Sequence, residues 1–112
     1  MQPLQHLELQ HFNTFMIIRI VRMHFKEDGL ERFLEIFQKH QVAIRNVAGC
    51  THLELLKDIN HPLVYTTLSH WEKVSNLEAY RNSVLFKEVW GKVKVLFSSS
   101  PQAFSLEKFI EL

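Results

Sequence analysis

One cysteine, three glycines and three prolines in 112 residues are few, and each scarcity removes a class of function. A lone thiol, Cys50, allows no internal disulfide and fits a reducing compartment, so the chain is expected to be cytoplasmic. Three glycines leave no glycine-rich phosphate loop. Thirteen basic residues against twelve acidic ones give a formal net charge of +1, too little field to steer the chain to nucleic acid or an anionic membrane. No apolar run approaches the roughly 18 residues of a membrane span. The N-terminus shows neither the basic region nor the apolar block of a signal peptide. Neither nucleic acid nor membrane is an expected partner.

What the sequence does hold is hydrophobic periodicity. Residues 16–25, MIIRIVRMHF, read as a strand: Ile17, Val21, Met23 and Phe25 point one way, Ile18 and Ile20 the other, and Arg19 and Arg22 interrupt the two sets. KEDG then opens a helix with Leu30, Phe33, Leu34, Phe37, Ile44 and Val47 in one stripe, Asp28 near its start and Gly49 as a left-handed cap at its end. CTHLELLKDI and VYTTLSHW, joined through NHPL, predict an antiparallel hairpin. Ser75 begins SNLE, a capping box that predicts a second helix. That helix carries Leu77, Tyr80, Phe86, Val89, Trp90, Val93 and Leu96 on one side and stops at SSSP. AFSLEKFI, residues 103–110, closes the chain as a fourth strand.

The order βαββαβ with right-handed crossovers places both helices on one face of a four-stranded antiparallel sheet, a ferredoxin-like α+β sandwich. Whichever set of the first strand faces the helices, the other remains mostly aliphatic, whereas a wet sheet face should be polar. One domain of this size buries only roughly 60–65% of its unfolded surface. A homodimer stacking sheet on sheet is therefore expected, with Arg19 and Val21 at or near the interface. Residues 1–15 read as an N-terminal appendage; HLEL at 6–9 recurs at 52–55, a match short enough to arise by chance. His24, His52 and His70 fall on three strands, but no HxH or HxxxH pair supports them and a zinc or iron site needs three or more placed ligands. No metal is expected.

MIIRIVRMHF, VAGCTHLELLKD and SHWEKVSNLEAYRNSVLFKEVW together resemble the antibiotic biosynthesis monooxygenase family of the dimeric α+β barrel superfamily, over residues 16–112. Because the resemblance begins at Met16, that residue is the expected start and residues 1–15 are expected to be dispensable. The resemblance implies a dimeric barrel with a pocket between sheet and helices in each subunit. Family members include cofactor-free oxygenases of quinols and polyphenolic anthrones, and heme-degrading oxygenases. The heme branch uses an Asn on strand one, a Trp on strand three and an iron-ligating His in helix two. Here those positions hold Arg22, Trp71 and Trp90, and an indole cannot coordinate iron, so heme degradation is disfavoured. A further family His, early in helix two, falls at Tyr80.

The resemblance thus places Arg22, His24 and Tyr80 as catalytic candidates and Trp71, Trp90, Phe37 and Phe86 as substrate-binding ones, around one cavity and with no cofactor. In that reading Arg22 holds a phenolate or carboxylate, and His24 or Tyr80 relays a proton. The plainer alternatives are an Arg22 ion pair with Glu54 or Glu72, and simple packing for Trp71, Tyr80 and Trp90. Cys50 is expected to be a small buried hydrophobe. Two functions are compatible with these residues: a cofactor-independent monooxygenase of a small aromatic, quinol-like substrate, or a non-catalytic dimer that binds a small apolar molecule.

Overall fold

Residue 17 begins the first of four strands in the computed structural model, which describes residues 16–112: β1 (Ile17–His24), β2 (Cys50–Lys57), β3 (Val64–Trp71) and β4 (Gln102–Leu106). Three α-helices lie between them, α1 (Leu30–Arg45), α2 (Val74–Arg81) and α3 (Val84–Val93), and a 3-10 turn (Lys94–Leu96) follows α3. The expectations for residues 1–15 lie outside the described residues. The strands pair antiparallel in the order β2-β3-β1-β4, the ferredoxin-like arrangement. β1 is hydrogen-bonded on both sides, which suits its aliphatic, β-branched sequence.

The pleat of β1 divides its side chains. Ile17, Arg19, Val21 and Met23 stand opposite Trp71, Ser69, Thr67 and Tyr65 of β3, on the face under the helices. Ile18, Ile20, Arg22 and His24 stand on the outer face with His70, Leu68 and Thr66. This reverses the expected assignment of Arg19 and Val21 to the interface. The reason is burial: the first set carries Met23 and, just beyond the strand, Phe25, with a single polar residue, whereas the second carries two. Phe25, 1% exposed, stacks on Phe33 of α1 at 4.2 Å, and burying one such ring contributes about 1.5–3 kcal/mol. A bulge between Cys50 and His52 lets Cys50 and then Leu53 face inward from β2 while His52 and Glu54 face outward.

Four local expectations are corrected. The second helix is two helices, broken at Asn82 and Ser83. Ser83 takes an extended backbone, its Oγ accepts from the Phe86 amide at 3.1 Å and donates to the Tyr80 carbonyl at 2.6 Å, so one hydroxyl caps α3 and terminates α2. The Ser75 capping box does not form, since α2 starts at Val74 with Lys73 as its cap residue and no side-chain cap bond. Gly49 does not cap α1, which ends at Arg45 with Asn46 as its cap residue. It makes the turn into β2 at φ +88°, where a Cβ would lie 2.2 Å from Asn76 Cγ, so only glycine fits. β4 ends at Leu106, short of the expected residue 110.

Candidate functional site

Between the inner sheet face and the helices lies a cavity of about 310 Å³. Val21 and Met23 of β1 and Thr67, Ser69 and Trp71 of β3 line it from the sheet; Phe37, Leu77, Tyr80, Phe86 and Trp90 line it from the helices. The aromatic rings run in sequence around this space. Trp71 stacks on Tyr80 at 5.1 Å, Tyr80 meets Phe86 edge-on at 5.2 Å, and Phe86 lies parallel to Trp90 at 5.8 Å. The break at Ser83 shapes this wall. Tyr80 and Phe86 sit on separate helices, α2 and α3, and present an edge and a face to each other.

The polar groups of the site are few. Trp71, 1% exposed, spends its indole N–H on Ser69 Oγ at 2.9 Å, both inside the site. Burial, and secondarily the nearby Cys50 thiol, pushes the Tyr80 phenol up to about 12. Tyr80 is therefore neutral at physiological pH, with an O–H available to donate. Arg19 enters from β1 and donates to Ser105 Oγ at 2.9 Å. Burial holds its guanidinium below the ordinary value, Arg81 adds to that effect and Glu78 opposes it. Arg81, also on the cavity wall, lies 3.8 Å from Glu78. Burial raises the Cys50 thiol, which donates to the His52 carbonyl at 3.5 Å; this is an inert packing role.

Of the residues expected at the site, Trp71, Tyr80, Trp90, Phe37 and Phe86 come together around this cavity. Arg22 and His24 do not. They lie on the outer face, where Arg22 Nη1 donates to His24 Nε2 at 2.7 Å and Nη2 approaches Asp58 at 3.9 Å. The partner of Arg22 is Asp58, neither Glu54 nor Glu72; Glu54 instead meets His52 at 3.1 Å. His52 and His70 also approach each other, ring centres 4.9 Å apart. Burial, then His52 and Lys108, hold the His70 imidazole below its ordinary value against an opposing Glu54. Among the described residues no three His, Cys, Asp or Glu side chains cluster as metal ligands. Trp90, which the resemblance aligned with a metal-ligating position, lines the cavity with an indole that has no lone pair to offer a metal, and Arg22 is on the far side of the sheet.

Sequence reasoning missed Arg19 and Arg81. The signal for Arg19 was its place in the set with Met23 and Phe25, the larger apolar set of β1. Arg81 follows Tyr80 directly and gave no periodic signal, because the helix ends there.

A sequence model described as antibiotic biosynthesis monooxygenase matches residues 16–90. No curated protein matches the sequence. Among solved structures, a conserved protein of Methanosarcina mazei Go1 superposes with a TM-score of 0.83 at 15% identity, over 89% of this chain and 99% of its own. A Bordetella bronchiseptica protein provisionally named an antibiotic biosynthesis monooxygenase is 25% identical, with a TM-score of 0.76 over 86% of this chain and 99% of its own. A Caulobacter crescentus CB15 protein with the same provisional name is 18% identical, with a TM-score of 0.80 over 94% and 99%.

Proposed function

The chain belongs to the antibiotic biosynthesis monooxygenase family, and from that membership we propose that it binds a small, electron-rich aromatic in the cavity and oxidises it with dioxygen, without a cofactor. One observation carries the reading: a mostly apolar, aromatic-walled cavity of about 310 Å³ whose lining includes Arg19 and the neutral Tyr80. That volume is at the lower end of the about 300–1,000 Å³ usual for ligand clefts, so a compact fused ring system fits. In this proposal Arg19 takes the role expected of Arg22. Its charge favours the ionised phenol or enol of the substrate, and Tyr80 donates a hydrogen bond to the same oxygen. The electrons come from the substrate itself. A ring methylene flanked by phenols loses a proton and gives one electron to dioxygen; the radical pair joins as a hydroperoxide, and loss of water leaves a carbonyl. One oxygen atom enters the product, and the other departs as water with both methylene hydrogens.

A second copy of the chain, in the same proposal, covers the outer face. Ile18, Ile20 and Leu68 lie there half-buried, and Phe104 and Leu106 are each 49% exposed, an apolar area that association would remove from water. Arg22, His24, His52 and Glu54 would form the polar part of that interface. Among the described residues no helix is long and apolar enough to cross a membrane. Light scattering at micromolar concentration should give twice the chain mass, and a monomer would remove the interface argument.

One feature favours the non-catalytic reading. No carboxylate and no histidine lines the cavity among the described residues, so deprotonation falls to solvent and to the charge of Arg19. Oxygen uptake with a panel of hydroxylated naphthalenes and anthrones separates the readings. Uptake with one oxygen molecule consumed per product supports the monooxygenase, and binding without uptake assigns a carrier or sensor.

A further inference from the structure

We infer that the aromatic ligand of the cavity carries a carboxylate, held between Arg19 and Arg81. This rests on the reading that the cavity binds an aromatic, and it adds the ligand's chemical class. Two arginines line one mostly apolar cavity, Arg19 from the centre of the sheet and Arg81 from the last residue of α2. Among the described residues Arg19 has no carboxylate partner; its hydrogen bond goes to the neutral Ser105 Oγ. A guanidinium carries five donors and tolerates partial burial when an anion accepts several of them. Among the charges that bear on it, the cation Arg81 works against it more strongly than Glu78 works for it.

Glu78 is the carboxylate that bears on this pair. It sits 3.8 Å from Arg81, half-exposed and outside the cavity lining, so it offsets one of the two positive charges and leaves the other in place. Pro101 and Ala103, both small, line the same cavity, Ala103 beside Val21 on the strand next to β1. A phenol oxygen engages one guanidinium at most and leaves the second unanswered. A carboxylate is ionised already and accepts two parallel N–H bonds from a guanidinium fork. The rings then lie against Trp71, Tyr80 and Trp90 while the acid reaches the guanidinium edge. Such an arrangement orients the aromatic in one sense.

The test uses 2-naphthoate and the neutral, similarly shaped 2-naphthamide, titrated into the full chain by calorimetry. The acid should bind at least tenfold more tightly than the amide, and added salt should weaken only the acid. Arg19→Gln should weaken the acid at least tenfold and the amide by much less, so that the acid's advantage is lost. Arg81→Gln, on a more exposed side chain, should reduce the acid's advantage in part and serves where Arg19→Gln fails to fold. Equal binding of acid and amide to the wild-type protein overturns the carboxylate assignment while the aromatic reading stands. Preference for the acid that survives both substitutions overturns it as well, because the anion then binds elsewhere. Binding of neither probe removes the aromatic reading and this inference with it.

Discussion

Arg19 and Arg22 stand on the same strand and point to opposite faces of one sheet, and their surroundings differ in kind. Arg22 is provided for: His24 Nε2 accepts from it and Asp58 lies within 3.9 Å. Arg19 has one hydroxyl, a neighbouring cation and a cavity. The outer face is thus locally satisfied and needs only a cover for its aliphatic area. The inner face holds a partly buried guanidinium that, among the described residues, has no ion-pair partner, the arrangement from which an anionic ligand is inferred.

The contrast can be broken most strongly by one substitution on each face. Trp71→Ala removes a side chain 1% exposed that stacks on Tyr80 and should cost about 3–5 kcal/mol, read from urea unfolding. Leu68→Glu places a carboxylate in the middle of the outer face and should halve the mass seen by light scattering while the isolated chain keeps its helical circular dichroism. An unchanged mass would leave the outer face exposed rather than covered.

Next in size is a pH effect confined to the inner face. Because the folded-state phenol of Tyr80 is pushed up to about 12, the folded protein keeps that proton where the unfolded chain has lost it. The corresponding stability is complete below about pH 10 and is lost as pH rises toward 12, on the order of 3 kcal/mol. Tyr80→Phe should flatten this part of the stability profile. An equally steep loss in the variant would assign it to other groups.

Smaller effects sharpen the picture. Ser83→Ala removes the cap of α3 and its bond to the Tyr80 carbonyl, and should cost about 1 kcal/mol by thermal unfolding. Arg22→Met breaks a part-exposed pair and should change stability by no more than about 1 kcal/mol, with naphthoate binding unaltered. Loss of ligand affinity in that variant would return a substrate role to the outer face.

The element order, the hairpin and the ferredoxin-like arrangement were legible in the sequence, while the aromatic wall of the cavity was expected only from the family resemblance. Period-two alternation and helical stripes are local properties, and Phe37, Tyr80, Phe86 and Trp90 stayed on the expected stripes even where their helix broke. The break itself was hidden. Asn82 and Ser83 are weak helix formers, yet only the bonds of Ser83 to Tyr80 and Phe86 decide that the chain turns there. Gly49 was recognised as a left-handed position, but its task is set by Asn76, which comes from α2 and leaves no room for a side chain.

By itself, then, the sequence determined the strands and helices, their order and the stock of aromatics available to a pocket, because each follows from backbone periodicity and turn chemistry within a few residues. Only the tertiary structure decided which guanidinium enters that pocket. Both sides of β1 are aliphatic with an arginine among them, so local pattern is nearly symmetric between them. The choice is made by burial summed across the sheet: Met23 and Phe25 pack with Phe33, Ile36, Phe37 and Val93 under the helices, and they carry Arg19 in with them while Arg22 goes out.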